Sequence, residues 1–157
     1  MPDLPHHETA LRRRTWVRYL LAIAGLNLVW EITQMPLYTL WLTGTGWEIG
    51  YAIVHCTLGD VLIAASSLGL VLLGLMVLGL RPRDWPARRY VAVAGATMGV
   101  ALGYTVFSEW WNVEVRQAWA YREIMPRLPG LGTGASPVLQ WLVVPGVAFW
   151  VARPRAG

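Results

Sequence analysis

The sequence predicts an all-α fold: a four-helix transmembrane bundle with a short amphipathic outer-face helix between the third and fourth spans. Three observations predict it. Of 157 residues, 55% are hydrophobic and only 14% charged, a balance too apolar for a water-soluble domain of this size. Four apolar stretches reach or approach the roughly 20 residues that a helix rising about 1.5 Å per residue needs to cross about 30 Å of hydrocarbon. The arginines gather between those stretches with a strong bias to one side.

The elements follow in order along a single transmembrane domain, residues 1–157. Residues 1–15 form a cytoplasmic tail, and the first span runs from Trp16 to Tyr38. Glu31 interrupts its apolar run and no small-x-small cleavage site follows, so this segment is expected to stay as a helix and not to be removed as a leader. The second span, Ile49 to Leu80, contains 20 consecutive uncharged residues from Val61 to Leu80. The third takes Tyr90 to Trp111. The fourth, Pro137 to Ala152, is 16 residues long and carries Pro145-Gly146, which predicts a kink or help from the preceding loop. Between the last two spans, Val113 to Met125 has the alternation of a surface amphipathic helix, followed by a Pro-Gly-rich stretch that re-enters over the bundle as a lid or an interfacial anchor.

Charge orients the bundle. Every one of the 13 basic residues is arginine, and Arg12, Arg13, Arg14, Arg18, Arg81, Arg83, Arg88, Arg89, Arg153 and Arg155 fall on one side of four crossings. Only Arg116, Arg122 and Arg127 fall on the other, so both termini are expected in the cytoplasm of a bacterial inner membrane. This distribution serves topology and argues against nucleic acid as a partner. Trp41, Trp47, Trp110, Trp111 and Trp119 mark the predicted outer interface, and Trp16, Trp85 and Trp150 the inner one. Cys56 is the only cysteine, which excludes an intrachain disulfide and a Cys-rich metal site. Gly95, Gly99 and Gly103 form a GxxxGxxxG ridge, expected to pack within the bundle first and to join copies of the chain second.

The residues that carry chemistry lie in the outer half. On the first helix Asn27, Glu31, Gln34 and Tyr38 recur at i, i+4, i+7 and i+11, a polar stripe on one face. Thr105, Glu109, Asn112 and Arg116 repeat that spacing on the third. The second adds His55, Cys56 and Asp60, and the fourth Gln140 and Trp141. Carboxyls inside a span are costly to hold and mark functional sites by default, so Glu31, Asp60 and Glu109 are the candidate acid-base groups, with His55 as a proton relay. Asn27, Gln34, Asn112, Arg116, Trp119, Tyr121, Gln140 and Trp141 are the candidate ligand-binding residues. The plainer alternatives are interhelical hydrogen bonds for the amides, typically about 0.6 kcal/mol each, a structural role for His55, and solvation of Glu109 and Glu114 at the interface.

The stretches LVWEITQMPLY (Leu28 to Tyr38), HCTLGD (His55 to Asp60), WAYREIMP (Trp119 to Pro126) and GASPVLQW (Gly134 to Trp141) resemble a family of small bacterial four-helix integral membrane proteins that carries no assigned activity. The resemblance implies a bacterial inner-membrane setting. The set of intramembrane Glu, His, Asp and Trp is also loosely similar, in architecture alone, to sterol-isomerase-like membrane domains. No phosphate-cradling loop, HExxH, CxxC or GxSxG occurs, and no cofactor or metal is called for. Three functions remain open at this point: binding or acid-base chemistry on an apolar or amphipathic ligand, a proton- or cation-coupled transport component, and a non-catalytic assembly partner of a membrane complex. The expected partners are the bilayer, a lipid-like small molecule, and a second copy through the glycine ridge.

Overall fold

The computed structural model describes residues 4–80 and 87–153, with side chains from Arg14 onward except that of Ala87. Arg81, Arg83, Trp85 and Arg155, and the side chains of His6, His7, Arg12 and Arg13, lie outside the described residues. Helix α1 spans Leu4–Gln34 and passes through a 3-10 turn, Met35–Leu37, into the short helix α2, Leu40–Thr43. Helix α3 runs Gly46–Val77, α4 Ala87–Trp110, and α5 Ala135–Ala152. The four long helices close a ring in which α1 packs on α3, α3 on α4, α4 on α5, and α5 back on α1.

Four stretches are long and apolar enough to cross a membrane: Arg14–Leu37, Gly46–Val77, Arg88–Val115 and Ala135–Ala152. Length and composition thus make the chain a multi-pass membrane protein. Its surface agrees with that solvent: Leu21, Val91 and Val77 are 68%, 69% and 78% exposed, which only hydrocarbon would cover cheaply. The interior is built from the opposite stripes. On α5 the buried residues Pro137, Gln140, Trp141, Val144, Ala148, Phe149 and Ala152 recur every three or four positions and form one face. That face meets Tyr19, Ile23, Ala64, Leu68, Val93 and Ala101 in an apolar core toward the chain-terminal end of the bundle. There the Tyr19 and Phe149 rings lie 4.4 Å apart, and the Tyr90 hydroxyl donates to the Phe149 carbonyl at 2.7 Å.

Sequence chemistry sets the helix ends. Thr45 caps α3: its hydroxyl oxygen accepts from the Glu48 amide at 3.3 Å, and the Glu48 carboxylate accepts from the Thr45 amide at 2.8 Å. Thr45→Ala is expected to lower stability by about 1 kcal/mol in a reversible unfolding titration. Loss of less than a few tenths would show that the cap carries no weight in the folded bundle.

Two expectations need correction. Val113 to Met125 is not an amphipathic helix. Helix α4 ends in a single π-helical turn, Trp111–Val115, and Gln117 then takes φ 50°. The reason is long-range pairing: the Thr39 amide donates to the Ala120 carbonyl at 3.0 Å and the Arg122 amide to the Leu37 carbonyl at 2.9 Å. Backbone groups that a helix would pair internally are instead tied to the connection between α1 and α3. The glycine ridge does not pack within the bundle either. Gly95, Gly99 and Gly103 are exposed, and a side chain added at any of them would meet nothing within 4 Å.

Candidate functional site

The polar stripe of α1 points inward. Asn27, Glu31 and Gln34 are 1%, 4% and 5% exposed, and they meet Asp60 of α3 and Gln140 of α5, both also buried. Gln140 is the centre. Its amide nitrogen lies 2.9 Å from Asn27 Oδ1, 3.0 Å from Glu31 Oε1 and 2.8 Å from Asp60 Oδ2. The Gln34 amide donates to Glu31 Oε1 at 2.7 Å and to Gln140 Oε1 at 3.3 Å. Behind it, the Trp30 indole donates to Ser136 Oγ at 3.2 Å and the Ser136 hydroxyl to Gln34 Oε1 at 2.7 Å. A chain of donors therefore runs from Trp30 to the carboxyls. The carboxyls of Glu31 and Asp60 thus converge on one amide nitrogen from two different helices.

Glu109 stands apart from that pair and is half-buried on α4. The Tyr121 hydroxyl donates to it. Burial first, and then the neighbouring Glu109 carboxyl, push the Tyr121 phenol above the usual tyrosine range, so it remains a donor. Tyr121 is held in turn by the segment that carries it. It bridges to Tyr38 with ring centroids 5.4 Å apart, the Arg127 guanidinium lies 5.2 Å from its ring centroid, and the Arg122 guanidinium donates to the Pro36 carbonyl at 2.7 Å. Residues 116–134 are thus a strap fastened across the end of the bundle opposite the chain termini.

Beneath the strap lies a cavity of about 1110 Å³, walled by Glu31, Asp60, Gln140, Thr105, Glu109 and Trp141 at its polar end. It continues between α3 and α4 past Leu62 and Ile63 to Leu70 and Val100. From Asp60 to Leu70 that apolar arm is about 15 Å long at helical rise. Leu62, Leu70 and Tyr104 are 67%, 60% and 53% exposed, so the arm opens sideways through the α3–α4 flank.

The remaining sequence candidates divide. His55 lines the cavity but is exposed and stacks on Tyr51 at 5.7 Å, and among the described residues no hydrogen bond connects it to a carboxyl as a relay would need. Arg116 is exposed at the mouth, and Trp119 lines the wall half-buried. Asn112 lines the wall too, but its amide is turned back onto its own helix, donating to the Ser108 carbonyl at 2.8 Å. Sequence reading gave no role to Trp30 or Ser136. A serine inside the Gly134 to Trp141 stretch and an indole among ten tryptophans carry no signal of their own. Among the described residues no group of three or more His, Cys, Asp or Glu is arranged to hold a metal ion.

Fold and site together define a multi-pass helical bundle with an acidic, hydrogen-bonded chamber that opens into an apolar groove. Comparison with protein-family models, curated proteins and solved structures finds no match.

Proposed function

We propose that this chain is a bacterial inner-membrane protein, with both termini cytoplasmic, that binds an amphipathic lipid-like molecule and acts on it by acid-base chemistry through Glu31 and Asp60. The observation that carries the reading is the cavity itself, in which carboxyls and amides close one end and an apolar arm opens toward lipid at the other. Such a shape suits a molecule with a polar head and a hydrocarbon body. Two carboxyls held against one amide at the cavity wall supply the groups that proton transfer to or from a bound molecule requires. The arginine bias of ten to three supports the orientation, and the resemblance to small bacterial membrane proteins supports the setting. The apolar core around Tyr19, Ile23, Val144 and Phe149 weighs against a transport path for protons or cations through the bundle.

Lipidomics of the purified protein tests the reading. A single class of amphipathic molecule is expected to co-purify near one equivalent, and the Glu31→Gln, Asp60→Asn double variant is expected to lose at least about tenfold of it, the effect of roughly 1.4 kcal/mol. Equal retention by the double variant would remove the carboxyl pair from the site.

One observation favours a second role beside the first: the open glycine ridge, which leaves α4 a smooth track for another helix. If that track joins copies of the chain or a partner in a complex, Gly99→Leu will abolish the cross-linked species formed in membranes. An unchanged cross-linking pattern would exclude the ridge.

A further inference from the structure

We infer that residues 116–134 are a latched gate: they set the width of a water-facing mouth to the carboxyl chamber, with Gln117 as the hinge and the Tyr121–Glu109 hydrogen bond as the latch. The gate goes beyond the proposed lipid site, since it governs how water reaches Glu31 and Asp60 and not what fills the apolar arm. The mouth lies at the end opposite the chain termini. One rim is the start of α3, where the exposed Trp47 and Tyr51 line the cavity, and the other is the strap, through Arg116, Ala118 and Trp119. Toward the termini the chamber meets the apolar core around Tyr19, Ile23 and Phe149, which offers water no way in.

The way the strap is fastened makes it a moving part. Residues 116–134 form no helix or strand of their own, and the Ala118 amide donates only to the adjoining π-helical turn, at the Asn112 carbonyl. Firm attachment starts at residue 120. The Ala120 carbonyl accepts from the Thr39 amide, and the amide and guanidinium of Arg122 donate to the Leu37 and Pro36 carbonyls. Those bonds reach the α1–α3 connection and leave α4 untouched. Among the described residues, the Tyr121–Glu109 bond is the one hydrogen bond from residues 120–134 to helix α4. Glu109 also lines the cavity, so the latch stands within reach of whatever enters. Strain sits beside it. Gln117 takes φ 50°, the left-handed region that a residue with a Cβ occupies at a cost, and it lies between the end of α4 and the rim residues Ala118 and Trp119. Rotation at Gln117 relieves that cost and swings the rim. At the far end Gly130 and Gly132, at φ 80° and 68°, supply a second pivot with no Cβ to hinder it.

The sole cysteine, Cys56, is half-buried on the cavity wall and reports on the mouth. In the full chain in lipid nanodiscs its alkylation is timed with two neutral reagents: polar iodoacetamide, which arrives from water, and lipophilic N-phenylmaleimide, which the bilayer delivers to the α3–α4 flank. Both attack the thiolate, so a change in the thiol itself cancels in the ratio of their rates. Tyr121→Phe frees the latch and is expected to raise the iodoacetamide rate about tenfold, equal to roughly 1.4 kcal/mol in the opening equilibrium, with the maleimide rate unchanged within about twofold. Gln117→Gly relaxes the closed hinge and is expected to slow iodoacetamide about threefold. Tyr90→Phe removes a hydroxyl bond at the other end of the bundle and should leave both rates as they are. Circular dichroism shows which variants fold, and the glycine variant, which relieves strain, decides if Tyr121→Phe does not. An iodoacetamide rate unmoved by Tyr121→Phe, or raised as much by Tyr90→Phe, would overturn the latch. A maleimide rate rising in step would mean general loosening and overturn it equally, and faster alkylation of Gln117→Gly would overturn the hinge. None of these rates depends on which lipid co-purifies, so the gate and the lipid site fail separately.

Discussion

Gln140→Leu is expected to destabilise the bundle by roughly 2–4 kcal/mol, the largest effect of any single polar change. Leucine nearly matches glutamine in volume, so the core stays filled and the loss isolates the amide. Four hydrogen bonds depend on that side chain, one from Gln34 and three to Asn27, Glu31 and Asp60. Hydrogen bonds between membrane helices average only about 0.6 kcal/mol, because the separated helices find other partners in the bilayer. The orphaned groups decide the magnitude: Asp60 Oδ2 and Asn27 Oδ1 would lose the side-chain donor they have, at about 1–3 kcal/mol for each buried group left unmet. Equilibrium unfolding in mixed micelles measures it. A cost below about 0.5 kcal/mol would mean that the hub is decorative and that water or lipid satisfies the carboxyls equally well. Gln140→Glu offers a sharper contrast, since it removes the amide donor and sets a third carboxyl beside Glu31 and Asp60, so its cost should exceed that of Gln140→Leu.

Gly134→Ala is the second large expectation. A methyl group there would stand 3.0 Å and 3.1 Å from two Tyr121 ring carbons and 3.2 Å from the Met125 sulfur. Methionine can yield, but the Tyr121 ring is held by its hydrogen bond to Glu109 and by the bridge to Tyr38. The crowding should cost about 1–3 kcal/mol and draw the phenol away from its carboxylate. Tyr121→Phe, which removes the hydrogen bond without moving the ring, should cost about 1.5–3 kcal/mol if Glu109 is charged. In a Tyr121→Ala background the alanine at 134 should become nearly neutral, because the neighbour it strikes is gone. Additive losses in that double variant would show that Gly134 matters for some other reason, such as the turn it closes before α5.

The bundle and half of its site were legible in the sequence because each rests on a local rule. Helical spacing is enough to put Asn27, Glu31 and Gln34 on one face, and the cost of a carboxyl in hydrocarbon is enough to turn that face inward. Nothing local marks Gln140 as the hub, since its role depends on α5 lying between Asn27 of α1 and Asp60 of α3. The strap shows the converse. Val113 to Met125 has a plausible helical pattern, but Leu37 and Thr39, more than 80 positions away, take its backbone partners. The outward glycines are a third case: spacing identifies a ridge, whereas its direction depends on which face of α4 meets α5.

The tight apolar packing of Tyr19, Ile23 and Phe149 turns the chamber into a cul-de-sac. On the proposed reading, a molecule entering between α3 and α4 finds no through-passage to the chain-terminal side and would leave toward the side it came from.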